Sequence, residues 1–317
     1  MVDFKVLEKS YPRLDAREKV TGRATYVADV YLPGMLMCKL LSSTRSHAKI
    51  LRIDISRAAA MPGVQAVVTG KDFPEFHFGS GALKDRYIMA RDEVFYIGEP
   101  VAAVAADDEI TAQEALELIE VTYEDLPVVL DPLEALKSSS PSVHSDLPNF
   151  EGYGFAMGNN VSALLDADRG DVDQAFKDAD YIIEDTFRSQ GINQGFLEPM
   201  ACIADVEPNG RLTIWASTQG PYQIRAQVAS VFGMPVSNVK VIPMELGGGF
   251  GAKLRLAFEA FPTLLAMKTG HPVKLINTRE EVFTLNGPRL PVTNYVKTGV
   301  MKDGTIIARE GYTIFDV

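Results

Sequence analysis

The chain has 317 residues, 46% of them apolar and 23% charged, with a formal net charge of −11. The length suits about two domains, and the composition is that of a globular protein with a core of useful size. The acidic balance, with no dense Lys/Arg run, argues against a nucleic-acid partner or an anionic membrane surface, both of which want a basic patch. The two cysteines, Cys38 and Cys202, cannot by themselves make a disulfide scaffold, a tetrathiolate zinc site or an iron–sulfur centre, and read as small buried apolar side chains. The opening MVDFKVLEKSYPRLD has no apolar h-region and no run reaches membrane-span length, so the expected compartment is the cytoplasm.

The first part reads as mixed helix and strand. Short apolar and β-branched runs at 24–32, 35–43, 49–55 and 64–69 predict strands, punctuated by turns at Pro33-Gly34 and Pro62-Gly63. SRAAAMPG predicts a short helix opened by Ser56. The continuous apolar run at 100–106 predicts a buried strand, followed by a helix over 108–121 and a return to strand. The Ser-, Pro-, Asn- and Gly-rich stretch 131–160 reads as a linker between a first domain at 18–130 and a second at 161–317.

The second part predicts a strand near 160–167, a helix over Val172–Ala179 and another strand. A hairpin follows, with Asn209-Gly210 suited to a type I′ turn. A helix over Tyr222–Phe232 and the strand NVKVIPM come next. Four glycines, Gly247, Gly248, Gly249 and Gly251, then separate this strand from a helix expected from about Ala252 to Lys268. A strand, PVKLINT, and a hairpin turning at Asp303-Gly304 complete the order.

The glycine loop allows three readings. A Walker A loop fails, because the sixth position from Gly247 is Ala252 and Leu254 follows Lys253. A dinucleotide fingerprint fits in form as Gly247-x-Gly249-x-x-Ala252 between strand and helix, but no acidic residue stands about 20 positions further on. The third reading is a tight turn that packs a helix.

The loop keeps distinctive company: STQGPY (217–222), FLEPMA (196–201) and TREEVFTLNGPRLP (278–291), with KVTGRATYVAD (19–29), PGMLMCKLLSSTRSHAKI (33–50) and GEPVAAVAADDEITAQEALELIEVTYEDLPVV (98–129) upstream. In order and spacing these motifs resemble the large molybdopterin-binding subunit of the xanthine dehydrogenase / aldehyde oxidase family of molybdenum hydroxylases. The resemblance implies an α+β fold: an N-terminal a/b hammerhead domain, then the first part of the molybdopterin-binding domain. It implies an oxidoreductase component acting on an aromatic, N-heteroaromatic or aldehyde substrate, with 4-hydroxybenzoyl-CoA reductases among the similar members. The implied cofactor is molybdenum-molybdopterin in its cytosine dinucleotide form, with [2Fe-2S] clusters and FAD on partner subunits.

By the same resemblance, Gln219 matches the glutamine that hydrogen-bonds an oxygen ligand of the molybdenum. Phe250 and Gly251 match the loop beside the metal, and neither Gln219 nor Phe250 ligates it directly. Gly248 and Gly249 would border the pterin. Leu254 stands where purine-oxidising members carry a substrate-binding Glu, which argues against xanthine as substrate. Arg289 matches an arginine that orients or polarises substrate. Glu198 reads as structural, and Arg279, Glu280 and Glu281 as a solvated charge cluster or a cap. The family's catalytic glutamate and most pterin contacts lie later than this sequence reaches, so the resemblance implies a truncated or split molybdenum subunit, inactive without its remainder. Two other classes stay open: an NAD(P)-dependent dehydrogenase using the Gly247 loop, and a non-catalytic assembly module.

Overall fold

A computed structural model describes residues 5–7, 9–78, 86–144, 151–152, 155–156, 160–254, 256 and 258–316. Helices and strands mix through these residues in an α+β arrangement. The central sheet has seven strands in the order 239–243, 212–216, 201–206, 273–276, 36–42, 100–106 and 64–69. It joins the two halves of the sequence, because strand 36–42 pairs parallel with strand 273–276, Leu36 opposite Val273.

The strand Pro100–Ala106 is buried along its whole length. Alternate residues serve opposite faces. Ala103 and Ala105 join the main core with Leu265, Phe261 and Ile214, while Ala102, Val104 and Ala106 pack with Ala112, Ala115 and Leu116. This two-sided cover explains why the run is continuously apolar rather than alternating. Helix Glu109–Glu117 covers one face and begins at Asp108, whose side chain accepts the Thr111 N–H. Helix Ala260–Thr269 covers the other and stops at Gly270 in the left-handed conformation. Each fully buried leucine or isoleucine there contributes roughly 1.5–3 kcal/mol. Both cysteines are free and buried in this core.

Two three-stranded sheets flank the central one, 93–94/48–54/120–125 and 181–189/292–300/306–315. The segment expected as a linker carries the short helix Pro132–Ala135 and a two-stranded pair, 151–152 with 155–156; its residues 145–150, 153–154 and 157–159 lie outside the described residues.

The structure corrects four local expectations. Residues 24–32 form a 3₁₀ turn at Val27–Asp29, not a strand. The carbonyls of Ala28 and Val30 there accept from the Lys274 ammonium at 2.6 and 2.9 Å, so a side chain replaces a strand ladder. Residues 160–167 form no strand among the described residues; the stretch opens at Asn160 with φ 64° and runs into Asp166, Asp168 and Gly170.

The hairpin at Asn209-Gly210 is real, but its turn is not type I′. Gly210 N–H donates to the Glu207 carbonyl, and only Gly210 has positive φ, at 81°. Pro208 holds the first turn position at negative φ, which gives a type I turn followed by a left-handed glycine. Finally, the helix expected from Ala252 starts at Ala260. The Lys253 carbonyl is already taken by the Gln219 N–H and the Thr218 hydroxyl, so it is not offered to a helical ladder.

Candidate functional site

Strands 212–216 and 239–243 lie side by side and parallel, with Ala216 opposite Pro243. The crossover between them is helix Pro221–Val231. Their carboxyl ends therefore emerge together at one end of the sheet, the place where open sheets hold ligands. The segment Ser217–Gly220 leaves the first strand there, and the glycine loop leaves the second. Strand 201–206 runs the other way, so its entry segment, containing Phe196 and Glu198, arrives at the same end. Strand 273–276 exits there too, into helix Arg279–Leu285.

Gln219 and the glycine loop touch. The Gly251 N–H donates to Gln219 Oε1 at 3.0 Å, and the Gln219 N–H donates to the Lys253 carbonyl at 2.7 Å. An N–H can only donate, so the amide atom facing Gly251 must be the oxygen. The Gln219 NH₂ is thereby turned outward, exposed, with no partner among the described residues. The N–H groups of Gly248, Gly249 and Phe250 also donate no hydrogen bond among the described residues. Successive free main-chain N–H groups form a concavity that favours an anion.

The loop's glycines are required one by one. A Cβ on Gly249 would collide with Gln219 Oε1, and one on Gly247 would lie 2.5 Å from Glu198 Cβ. Gly248 and Gly251 have φ of 101° and 96°. A Cβ on Gly251 would meet nothing within 4 Å, so the main chain is bare on that side. Phe250 is held at φ 50° with its ring 74% exposed. A non-glycine residue in the left-handed region is strained, and such strain collects at functional sites.

Leu254 follows the loop, 40% exposed, and its carbonyl lies close against Gly220. Arg289 stands apart. Its main chain exchanges two hydrogen bonds with Ile192, at 2.8 and 3.2 Å, and its exposed guanidinium makes no hydrogen bond or ion pair among the described residues. The structure thus brings Gln219, Gly248, Gly249, Phe250, Gly251 and Leu254 together and leaves Arg289 on the adjoining 286–291 loop without a contact to them.

Sequence reading missed Lys253. Its ammonium is fully buried, 2.8 Å from Glu198 Oε2, and also donates to the Glu198 carbonyl at 3.0 Å. It lies 4.5 Å from the centre of the Phe196 ring. Burial pulls its pKa down, and the Glu198 carboxylate works against that pull. Glu198 Oε2 also accepts the Gly247 N–H at 2.8 Å, while Oε1 is buried without a partner among the described residues. Arg279 is no solvated charge: it donates to the carbonyls of Phe196 and Leu197, both at 2.7 Å. Thr278 and Glu281 form the reciprocal cap of the helix that follows.

Comparison with known proteins gives the chain's family. Residues 21–127 match the aldehyde oxidase and xanthine dehydrogenase a/b hammerhead domain, and residues 155–317 match the molybdopterin cofactor-binding domain. The large molybdopterin subunit of nicotinate dehydrogenase from Eubacterium barkeri is 36% identical over 306 residues, covering 96% of this chain and 69% of that one. A probable xanthine dehydrogenase subunit from Bacillus subtilis is 34% identical, over 96% of this chain and 39% of that one. Among solved structures, the aldehyde oxidoreductase of Desulfovibrio gigas superposes with a TM-score of 0.84 at 29% identity, over 96% of this chain and 34% of that one. The chain belongs to the molybdopterin-binding subunits of the xanthine dehydrogenase and aldehyde oxidase family. It spans well under half the length of most of these relatives. Among the described residues no helix is long and apolar enough to cross a membrane.

Proposed function

We propose that this chain is a molybdenum-subunit component of a multi-subunit hydroxylase or dehydrogenase, and that its glycine loop and Gln219 form one wall of the cofactor site. One observation carries the reading. The Gly251 N–H locks Gln219 Oε1, which aims a neutral NH₂ outward beside three main-chain N–H groups, all four without partners among the described residues. Such a surface suits a bulky anionic group approaching main chain, and the residues present fit a molybdopterin. When bound, that cofactor supplies the two-electron oxidation of an electron-poor carbon.

Around it, this chain's residues hold and orient. The Gln219 NH₂ donates to an oxygen of the cofactor without adding charge. The Gly248–Gly251 backbone would hold the cofactor, with Phe250 beside it. The cytosine dinucleotide form is the nucleotide form we favour. Leu254 gives the substrate side an apolar lining that cannot pair with a purine edge. The substrate class we infer is therefore an aromatic or N-heteroaromatic ring or an aldehyde, in keeping with the named substrate of the nicotinate dehydrogenase relative. Arg289 would orient it from the neighbouring loop. Electrons would pass to [2Fe-2S] and FAD partner subunits, and the expected compartment remains the cytoplasm.

The dinucleotide alternative has lost its support. It needs a helix N-terminus at the glycines, and helix Ala260–Thr269 begins well beyond them. The test is elemental and pterin analysis of the native complex. We expect molybdenum bound in proportion to the chain, with iron alongside. An intact complex without molybdenum would remove the catalytic reading.

A further inference from the structure

We propose that Glu198 and Lys253 are positioning residues, a buried ion pair that clamps the glycine loop at both ends and so fixes where the Gln219 amide and the free main-chain N–H groups point. The inference rests on the reading of that loop as a cofactor wall.

The pair's contacts are arranged around the loop rather than within a core. At the loop's start, Gly247 is held twice by one residue: its N–H donates to Glu198 Oε2 at 2.8 Å, and its carbonyl accepts the Glu198 N–H at 3.2 Å. At the loop's end stands Lys253, whose ammonium donates to the same Oε2 at 2.8 Å and to the Glu198 carbonyl at 3.0 Å. One carboxylate oxygen therefore ties the two ends together. With Oε1 unpartnered among the described residues, that oxygen alone orients the carboxylate. The main chain of Lys253 carries the clamp onward, since its carbonyl accepts the Gln219 N–H at 2.7 Å and the Thr218 hydroxyl at 3.1 Å.

The base is rigid as well. The Glu198 segment is pinned by Arg279 on the carbonyls of Phe196 and Leu197. Side-chain exposures of 0% for Lys253 and 12% for Glu198 keep solvent from competing for these bonds. A buried charge left without its partner is costly, so the two residues act as a unit. Neither side chain reaches the open side of the loop, where Gly251 and Phe250 stand. They act through Gln219 and the loop, not on the substrate.

The test uses the double variant Glu198→Gln/Lys253→Met. It removes both charges together, keeps an acceptor for the Gly247 N–H and preserves volume, so that it folds where a single variant could fail. In the full chain without cofactor, hydrogen exchange of the hydrogen-bonded amides of Gly247, Gly251, Ala252 and Gln219 is compared with wild type. We expect exchange there to accelerate at least about tenfold, with the strands 100–106 and 201–206 unchanged. In the native complex we expect kcat to fall by about tenfold or more at unchanged KM, the signature of lost positioning rather than lost binding. Unchanged loop exchange would overturn the clamp. So would acceleration spread evenly through the central sheet, which would mark a merely structural pair. A wild-type complex lacking molybdenum would sink the cofactor reading, while the exchange experiment would still decide whether the pair holds the loop.

Discussion

The Gly251 N–H sits 3.0 Å from Gln219 Oε1, and this one contact fixes which end of the amide faces the open side of the loop. Two residues from loops that leave different strands thereby become a single presenting surface. Gln219 supplies a donor, and the main chain of the glycine loop, open at Gly251, supplies the floor.

Replacing Gln219 by Glu tests that division of labour. A carboxylate still accepts the Gly251 N–H, so the fold and the loop should be kept. The outward donor is gone and a negative charge faces the anionic cofactor instead. We expect kcat of the native complex to drop by about 10²-fold, with the melting temperature unchanged. Steady-state kinetics beside a thermal melt check both halves, and wild-type turnover would contradict the role given to the NH₂.

Alanine at Gly249 and at Gly251 should act in opposite ways. At Gly249 the new Cβ meets Gln219 Oε1, so Ala displaces the amide and lowers turnover with little effect on stability. At Gly251 there is open space, but φ is 96°, so Ala strains the backbone and costs about 1–2 kcal/mol of stability. Melting temperature and kcat measured on both variants separate a local collision from a backbone cost.

Leu254→Glu should leave the fold in place, because the side chain is 40% exposed and surface changes of this kind stay within about 0.5 kcal/mol. Its effect falls on substrate choice. The ratio of kcat/KM for a purine over an apolar heteroaromatic should rise by at least about tenfold, since a hydrogen-bonding site discriminates more sharply than an apolar one.

Glu99 gives a pH dependence away from the site. Its carboxyl is buried, and burial pushes its pKa up from 4.5 to about 7, against the Phe95 N–H that donates to it. The folded state thus binds this proton more tightly than the unfolded chain. Stability from this group is fully present below about pH 4.5 and is lost as pH rises through about 7. The loss at higher pH is roughly 3 kcal/mol. Glu99→Gln keeps the acceptor for Phe95 and should raise the unfolding free energy near pH 8 relative to wild type, the difference shrinking to nothing below about pH 4.5. Denaturant melts across that range check it. A difference that does not change with pH would show that Glu99 does not titrate as described.

Much of this was legible in the chain. The run at 100–106 announced a strand buried on both faces, and Pro-Gly and Asn-Gly pairs marked real turns. The motifs around Gln219 and the four glycines pointed to the candidate site by resemblance to a family. What stayed hidden is non-local. Lys253 and Glu198 are 55 residues apart, and nothing near either one signals the other. The pairing of Leu36 with Val273, which makes one sheet from two segments, has the same origin. The helix expected at Ala252 failed because Thr218 and Gln219, far back in sequence, claim the Lys253 carbonyl. The strand expected at 24–32 failed because Lys274 satisfies its carbonyls.

The most direct measurement is a crystal structure of the native complex with anomalous diffraction recorded at the molybdenum edge. The account expects an anomalous peak on the open side of the glycine loop, with the Gln219 NH₂ aimed at it and the Phe250-Gly251 backbone alongside. A molybdenum peak elsewhere, with the Gln219 NH₂ facing solvent and the Gly248–Phe250 N–H groups still unpaired, would contradict it.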